Sequence, residues 1–395
     1  MRFTGASVLV VGSMMTAALL GAGCGGGGTQ GPADSGPAGG SCARDGGSGG
    51  GARLTGVSAV SVGAGRTCAL TTAGAVLCWG LSSAGSTSSV PVVVDGLGGA
   101  TAISLGTGHA CALLADGTVR CWGLNNTGQL GNGATADSVA PVEVSGLAGA
   151  VAISAGNDHT CAALSDGTAW CWGANTFGQI GDGTTAGTLT PVQVTGVSGA
   201  TSVAAGVAHT CAIATGGMVL CWGGNGFGQL GNGSTQGSLV PVMVSGLGGA
   251  VAVSAGLYHT CAVLMGGEVQ CWGVSDSGVR TLVPMAVSGL TGATSVSAAA
   301  DDNMGLHTCA VVGGGAVECW GENTHGQLGN GTMTASFTPV AANGISGAAS
   351  VSTDVNHTCA ALTDGGVRCW GDDAFGQLGD GSRCASLVPV AVSAP

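Results

Sequence analysis

The chain repeats itself about every 50 residues, and each copy carries two cysteines ten positions apart. The pairs are Cys68 with Cys78, Cys111 with Cys121, Cys161 with Cys171, Cys211 with Cys221, Cys261 with Cys271, Cys309 with Cys319, and Cys359 with Cys369. Successive first cysteines lie 43, 50, 50, 50, 48 and 50 residues apart. A unit this short cannot bury a hydrophobic face alone, so it must stack on its neighbours, and the period fits a propeller blade. In the third copy, apolar or alternating runs bounded by Gly, Asp and Asn turns predict strands over residues 151–155, 159–164, 168–173 and 191–194. The expected fold class is therefore all-β, a seven-bladed β-propeller of four-stranded repeats over residues 57–395. The repeat also accounts for the glycine content. Gly is 80 of 395 residues, which without a period would signal disorder and with one signals many tight turns.

The cysteine spacing makes a specific prediction. In an antiparallel hairpin, residues whose numbers share a sum face each other. Cys111 and Cys121 then oppose one another across a turn at residues 115–117, with Cβ atoms about 4.5–5.5 Å apart. That is near bonding range, so one disulfide per copy is expected. The alternatives are seven pairs of buried thiols, or zinc, which the spacing disfavours because it has no close C-x₂₋₄-C knuckle. Three of the 17 cysteines remain: Cys24, Cys42 and Cys384. If Cys24 is otherwise modified, parity leaves Cys42 and Cys384 as a bond that would clamp the ends of the ring.

The recurring string reads G-x-x-H-T-C-A-L, D-G-x-V-x-C-W-G, N-x-x-G-Q-L-G-x-G and P-V-x-V. It resembles the regulator of chromosome condensation repeats over residues 57–395. The resemblance implies a seven-bladed propeller and two kinds of function. Some members are nuclear exchange factors for a small GTPase that dock on chromatin. A secreted bacterial propeller of this repeat type inhibits β-lactamases through its loops. The first and fifth copies depart from the string, with GLSSAGSTSSVP and GVSDSGVRTLVP. Both lack G-Q-L-G, so shorter loops are expected there. The near-constant spacing leaves little room for the protruding wedge that exchange factors use.

Charge narrows the choice. There are 8 Lys and Arg, all of them Arg, against 20 acidic residues, for a net charge of −12. Nucleic-acid binding draws most of its affinity from cationic contacts to phosphate, so no DNA or RNA partner is expected. The N-terminus reads as an export signal over residues 1–23: Arg2, an apolar run over 8–20, then Gly21, Ala22 and Gly23 before Cys24. Small-small-Cys resembles a bacterial lipoprotein cleavage box, making Cys24 a lipidation candidate. Leu20, however, stands four residues before the Cys where the box has three, and plain secretion fits the same run. Residues 24–56 have the Gly-rich composition of a flexible tether. The expected location is the cell envelope, as an outer-membrane lipoprotein or a secreted protein, and a monomer.

The remaining candidates divide into scaffold and surface. Trp follows the second Cys in every copy: Trp79, Trp122, Trp172, Trp222, Trp272, Trp320 and Trp370. These suit packing between blades better than a ring of sugar platforms. His109, His159, His209, His259, His307 and His357 precede the first Cys by two, with Arg66 in the first copy. They sit on different blades, so they suit a hydrogen bond in a local turn better than a metal. The Gly-Asn-Gly and Gly-Asp-Gly segments suit turns better than calcium loops. No nucleophile elbow, P-loop or zincin motif occurs, so neither an enzyme nor a cofactor is expected. The residues that vary inside the repeat are the better binding candidates: Phe177, Phe227, Tyr258, His325 and Phe375, in loops on a rigid scaffold. The expected function is a scaffold that grips a protein or glycan through this loop face. Exchange on a small GTPase is the alternative implied by the resemblance.

Overall fold

The structure, a computed structural model, describes residues 52–274, 278–299 and 307–395. It contains seven four-stranded antiparallel sheets, each made of four successive strands. The blades span residues 57–93, 100–143, 150–193, 202–243, 250–286, 295–341 and 348–391 and form a seven-bladed β-propeller. In the third blade the strands are Ala150–Ala155, His159–Leu164, Ala169–Gly173 and Thr188–Gln193. The fourth begins three residues before the expected start at Pro191. As the outer edge of its sheet it needs no N–H from a proline within it.

The hairpin register follows the cysteine sum. Cys161 pairs with Cys171 and His159 with Gly173. All seven expected disulfides are present, with Cα atoms 4.0–4.1 Å apart. They join Cys68 to Cys78, Cys111 to Cys121, Cys161 to Cys171, Cys211 to Cys221, Cys261 to Cys271, Cys309 to Cys319, and Cys359 to Cys369. Such bridges form and persist in oxidising surroundings. Cys384 is also disulfide-bonded. Cys24 and Cys42 lie outside the described residues, and with them the lipidation site and the assignment of Cys42 to Cys384.

The core lies between blades. Five of the seven Trp side chains pack beneath the preceding blade, where a Leu or Ile of the G-Q-L-G turn fills the wedge; Trp122 and Trp320 follow the two blades that lack this turn. These plugs are Leu130, Ile180, Leu230, Leu328 and Leu378, all fully buried. Leu130 lies against Trp172, and Leu378 against Trp79. Backbone polarity fixes the same joint. The Gln129 carbonyl accepts from Trp172 Nε1 at 2.9 Å and from Thr160 Oγ1 at 2.9 Å. The carbonyls of Gln179, Gln229, Gln327 and Gln377 do the same for the next blade. The glycine after each plug is required: at Gly131, φ is +69° and a Cβ would stand 2.6 Å from the Trp172 nitrogen.

The histidines hold the blades together rather than a local turn, which corrects the sequence reading. His109 Nε2 lies 2.8 Å from Thr160 Oγ1 in the next blade, and His159, His209, His259, His307 and His357 repeat the link at 2.8–3.0 Å. In five of these pairs the threonine's single proton goes to the Gln carbonyl. The imidazole must then donate from Nε2. Arg66 replaces the histidine where the facing residue is Ala110, which has no hydroxyl. It reaches the Gly106 and His109 carbonyls instead, at 3.2 and 2.6 Å.

Around the axis runs a belt of serines. Ser61, Ser104, Ser154, Ser254, Ser297 and Ser352 each accept from an innermost-strand N–H of the next blade, at 2.9–3.1 Å. Ala204 occupies the seventh position, so the belt has a gap between the fourth and fifth blades. The ends of the ring meet without exchanging a strand between blades. Arg53 bridges Ser393, and Leu54 N donates to Val392 O at 3.0 Å. Leu54 is buried against the last blade. Residues 52–56, assigned to the tether on composition, therefore include chain folded onto the propeller.

Candidate functional site

The turn between the first and second strands and the loop between the third and fourth leave each blade at the same end. Together they make one loop face. The long loops are rigid by sequence. Asn125 Oδ1 accepts from Leu130 N at 2.9 Å while its Nδ2 donates to the carbonyls of Ala134 and Ala136. Asn175, Asn225 and Asn323 repeat this pattern. The glutamine side chain then clamps the tip: the Gln179, Gln229, Gln327 and Gln377 Oε1 atoms accept from the backbone of Phe177, Phe227, His325 and Phe375 at 2.9 Å. The variable side chains thus stand on fixed backbone.

Of the five candidates, Phe177 and Phe375 are exposed and Phe227, Tyr258 and His325 are half-buried. The structure brings two of them together. The Phe227 and Tyr258 rings, from the fourth and fifth blades, lie 4.2 Å apart at 45°. The Arg280 guanidinium lies 5.3 Å from the Phe227 ring centre. A tilted ring pair and a cation over an aromatic face are each favourable by about 0.5–1.5 kcal/mol. Phe375 instead lies against Gly65 of the first blade, where an added Cβ would be 2.7 Å from its ring. His325 Nδ1 is 3.2 Å from Thr324 Oγ1. No ring contact joins Phe177, His325 or Phe375 to the pair among the described residues. The sequence reading missed Arg280, although it stands in the irregular fifth copy. There the shortened loop brings the fourth strand, Arg280–Ala286, up beside the third.

Electrostatics separate scaffold from surface. Burial pushes the six ring-joining histidines down, His109, His209 and His307 to about 3 and His159, His259 and His357 to about 4. They are neutral at physiological pH. Arg66 is lowered to about 10 by burial, opposed by the charge of Asp354. On the loop face, burial raises Asp158, opposed by a bond from Asn157. Among the described residues, no three His, Cys, Asp or Glu side chains converge as metal ligands would, and no helix is long and apolar enough to cross a membrane.

Known proteins agree with this architecture. Residues 19–345 match the model of the RCC1-like domain, and residues 351–377 that of the regulator of chromosome condensation (RCC1) repeat. Human WBSCR16 is similar in structure, with 21% identity, a TM-score of 0.68 and coverage of 78% of this chain and 86% of that one. Prp20p from Saccharomyces cerevisiae, described with its binding to Gsp1p and histones, gives 20% identity, a TM-score of 0.70 and coverage of 82% and 87%. The ectodomain of the Physcomitrella patens receptor kinase CR4 gives 22%, 0.52, and 80% and 74%. No curated protein matches the sequence.

Proposed function

The chain belongs to the RCC1-like domain family, and from that premise we propose that it is a non-catalytic binding scaffold, exported and lipid-anchored, that grips a protein or glycan through its loop face. One observation carries the reading. Phe227, Tyr258 and Arg280 form an aromatic-cationic cluster on the clamped loop face, across two blades. Aromatic and arginine side chains are the usual anchors of binding hot spots. Seven disulfides support an oxidising site of action, and the signal-like residues 1–23 with Cys24 support the anchor.

The test is binding of the purified oxidised protein to envelope proteins and to immobilised glycans. Saturable binding that falls at least about tenfold in Phe227→Ala and Tyr258→Ala supports the reading. Binding indifferent to both substitutions overturns this face as the site. Nucleotide release from a small GTPase would favour the exchange-factor alternative, which rests on family membership alone.

A further inference from the structure

Five of the seven joints between blades are filled by the same three parts: a buried Leu or Ile, a Gln carbonyl above the next blade's Trp, and the glycine that follows. The joint between the first and second blades has none of them. The first blade connects its third and fourth strands through residues 82–86, closed by Gly85 N donating to Ser82 O at 2.9 Å. The space of the missing turn remains as a cavity of ≈ 500 Å³. Its volume falls in the range of ligand pockets, about 300–1,000 Å³.

The walls show what would fit. Trp122 lines the cavity, and its indole N–H makes no hydrogen bond among the described residues, whereas Trp79, Trp172, Trp222, Trp272 and Trp370 all donate to a Gln carbonyl. Arg66 also lines it, and the Arg66 Nε is buried without a partner. The Trp122 indole N–H is thus the donor in the cavity wall that lacks a protein acceptor, while Arg66 Nε is sealed from solvent. The rest of the wall is mixed: the bridge between Cys68 and Cys78, Val94 and Pro141 are apolar, while Ser82, Thr87 and Asp95 are polar. By the pattern of the five filled joints, a matching occupant offers an acceptor oxygen beside a branched aliphatic group.

We propose that this cavity receives a loop from a protein partner, whose leucine or isoleucine takes the plug position and whose adjacent peptide carbonyl accepts from Trp122. The five filled joints are the template: in each, that aliphatic group is fully buried and that carbonyl lies 2.8–2.9 Å from the indole nitrogen. The acceptor oxygen also suits the cationic Arg66. The site is separate from the Phe227–Tyr258 cluster, so either can fail without the other.

The experiment uses the oxidised wild-type protein and follows its tryptophan indole N–H resonances by NMR. The probe is the capped peptide acetyl-Gly-Gln-Leu-Gly-amide. The Trp122 resonance is expected to move saturably while those of Trp172, Trp222, Trp272 and Trp370, which lie outside the cavity, stay fixed. The peptide with Ala in place of Leu should bind at least about tenfold more weakly. A protein whose residues 82–86 are replaced by 174–186 of the third blade should fill its own cavity and lose the response. No movement of Trp122 at the highest soluble peptide concentration overturns the proposal. So does equal binding of the Ala peptide, or tighter binding of a disaccharide such as maltose at the same resonance.

Discussion

Burial, not the donor role of Nε2, keeps the six imidazoles that link the blades neutral, and this makes the ring acid-sensitive. The six histidines have pKa values of about 3 or 4 in the folded chain against 6.5 when exposed. The unfolded chain takes up protons as pH falls through 6.5, and the folded chain does not until about 4. Stability is therefore complete above pH 6.5 and is lost as pH falls towards 4, by about 1.4 kcal/mol per pH unit for each histidine. The thermal midpoint should be level above pH 7 and fall steeply below 6.5; a level midpoint down to pH 4 would contradict this. The Arg66 and Ala110 exchange is testable in the same joint. Arg66→His alone should cost about 1–3 kcal/mol, because its ring would face no hydroxyl. Adding Ala110→Thr should recover much of it, as read from denaturant midpoints. The cysteine pairing was legible in the sequence because both partners, such as Cys309 and Cys319 or Cys359 and Cys369, lie on one hairpin. The histidine partner was not, because it lies some 50 residues away and a period cannot tell a bond within a repeat from one to the next repeat.

Among the elements, the plug turn decides how well each disulfide is shielded. Most bridge sulfurs are in fully buried residues, but Cys78 and Cys271, in the two blades without a plug, are only partly buried. Graded reduction followed by alkylation and mass spectrometry should label Cys68–Cys78 and Cys261–Cys271 first; uniform labelling would refute the shielding role. Leu230→Ala should extend the pattern. It should cost about 2–5 kcal/mol by leaving a cavity, and Cys211–Cys221 should join the labile set, since Leu230 packs in one cluster with both cysteines and with Trp272. The sequence showed plainly that the first and fifth copies lack G-Q-L-G. It did not show that the loss opens a cavity, because the plug belongs to one repeat and the tryptophan it covers to the next.

In the whole molecule every blade has two neighbours, and the joints differ in strength. The fifth blade is held least. On one side it misses the serine bond because of Ala204, and on the other side the joint with the sixth blade has no G-Q-L-G plug. Opening below the global transition proceeds through the least-held cooperative units. Amide exchange over residues 250–274 should therefore be faster than over residues 150–173 of the third blade, and equal protection would refute it. Such a weak joint is invisible in a repeat count, where the fifth copy is one unit among seven despite its shortened loop. The Phe227–Tyr258–Arg280 cluster straddles the fourth and fifth blades, where the serine belt is broken. A partner that grips both rings would act as a clasp on the ring. By linkage, occupancy a hundredfold above the dissociation constant adds about 2.7 kcal/mol to stability, and that gain would appear first as slower exchange in the fifth blade.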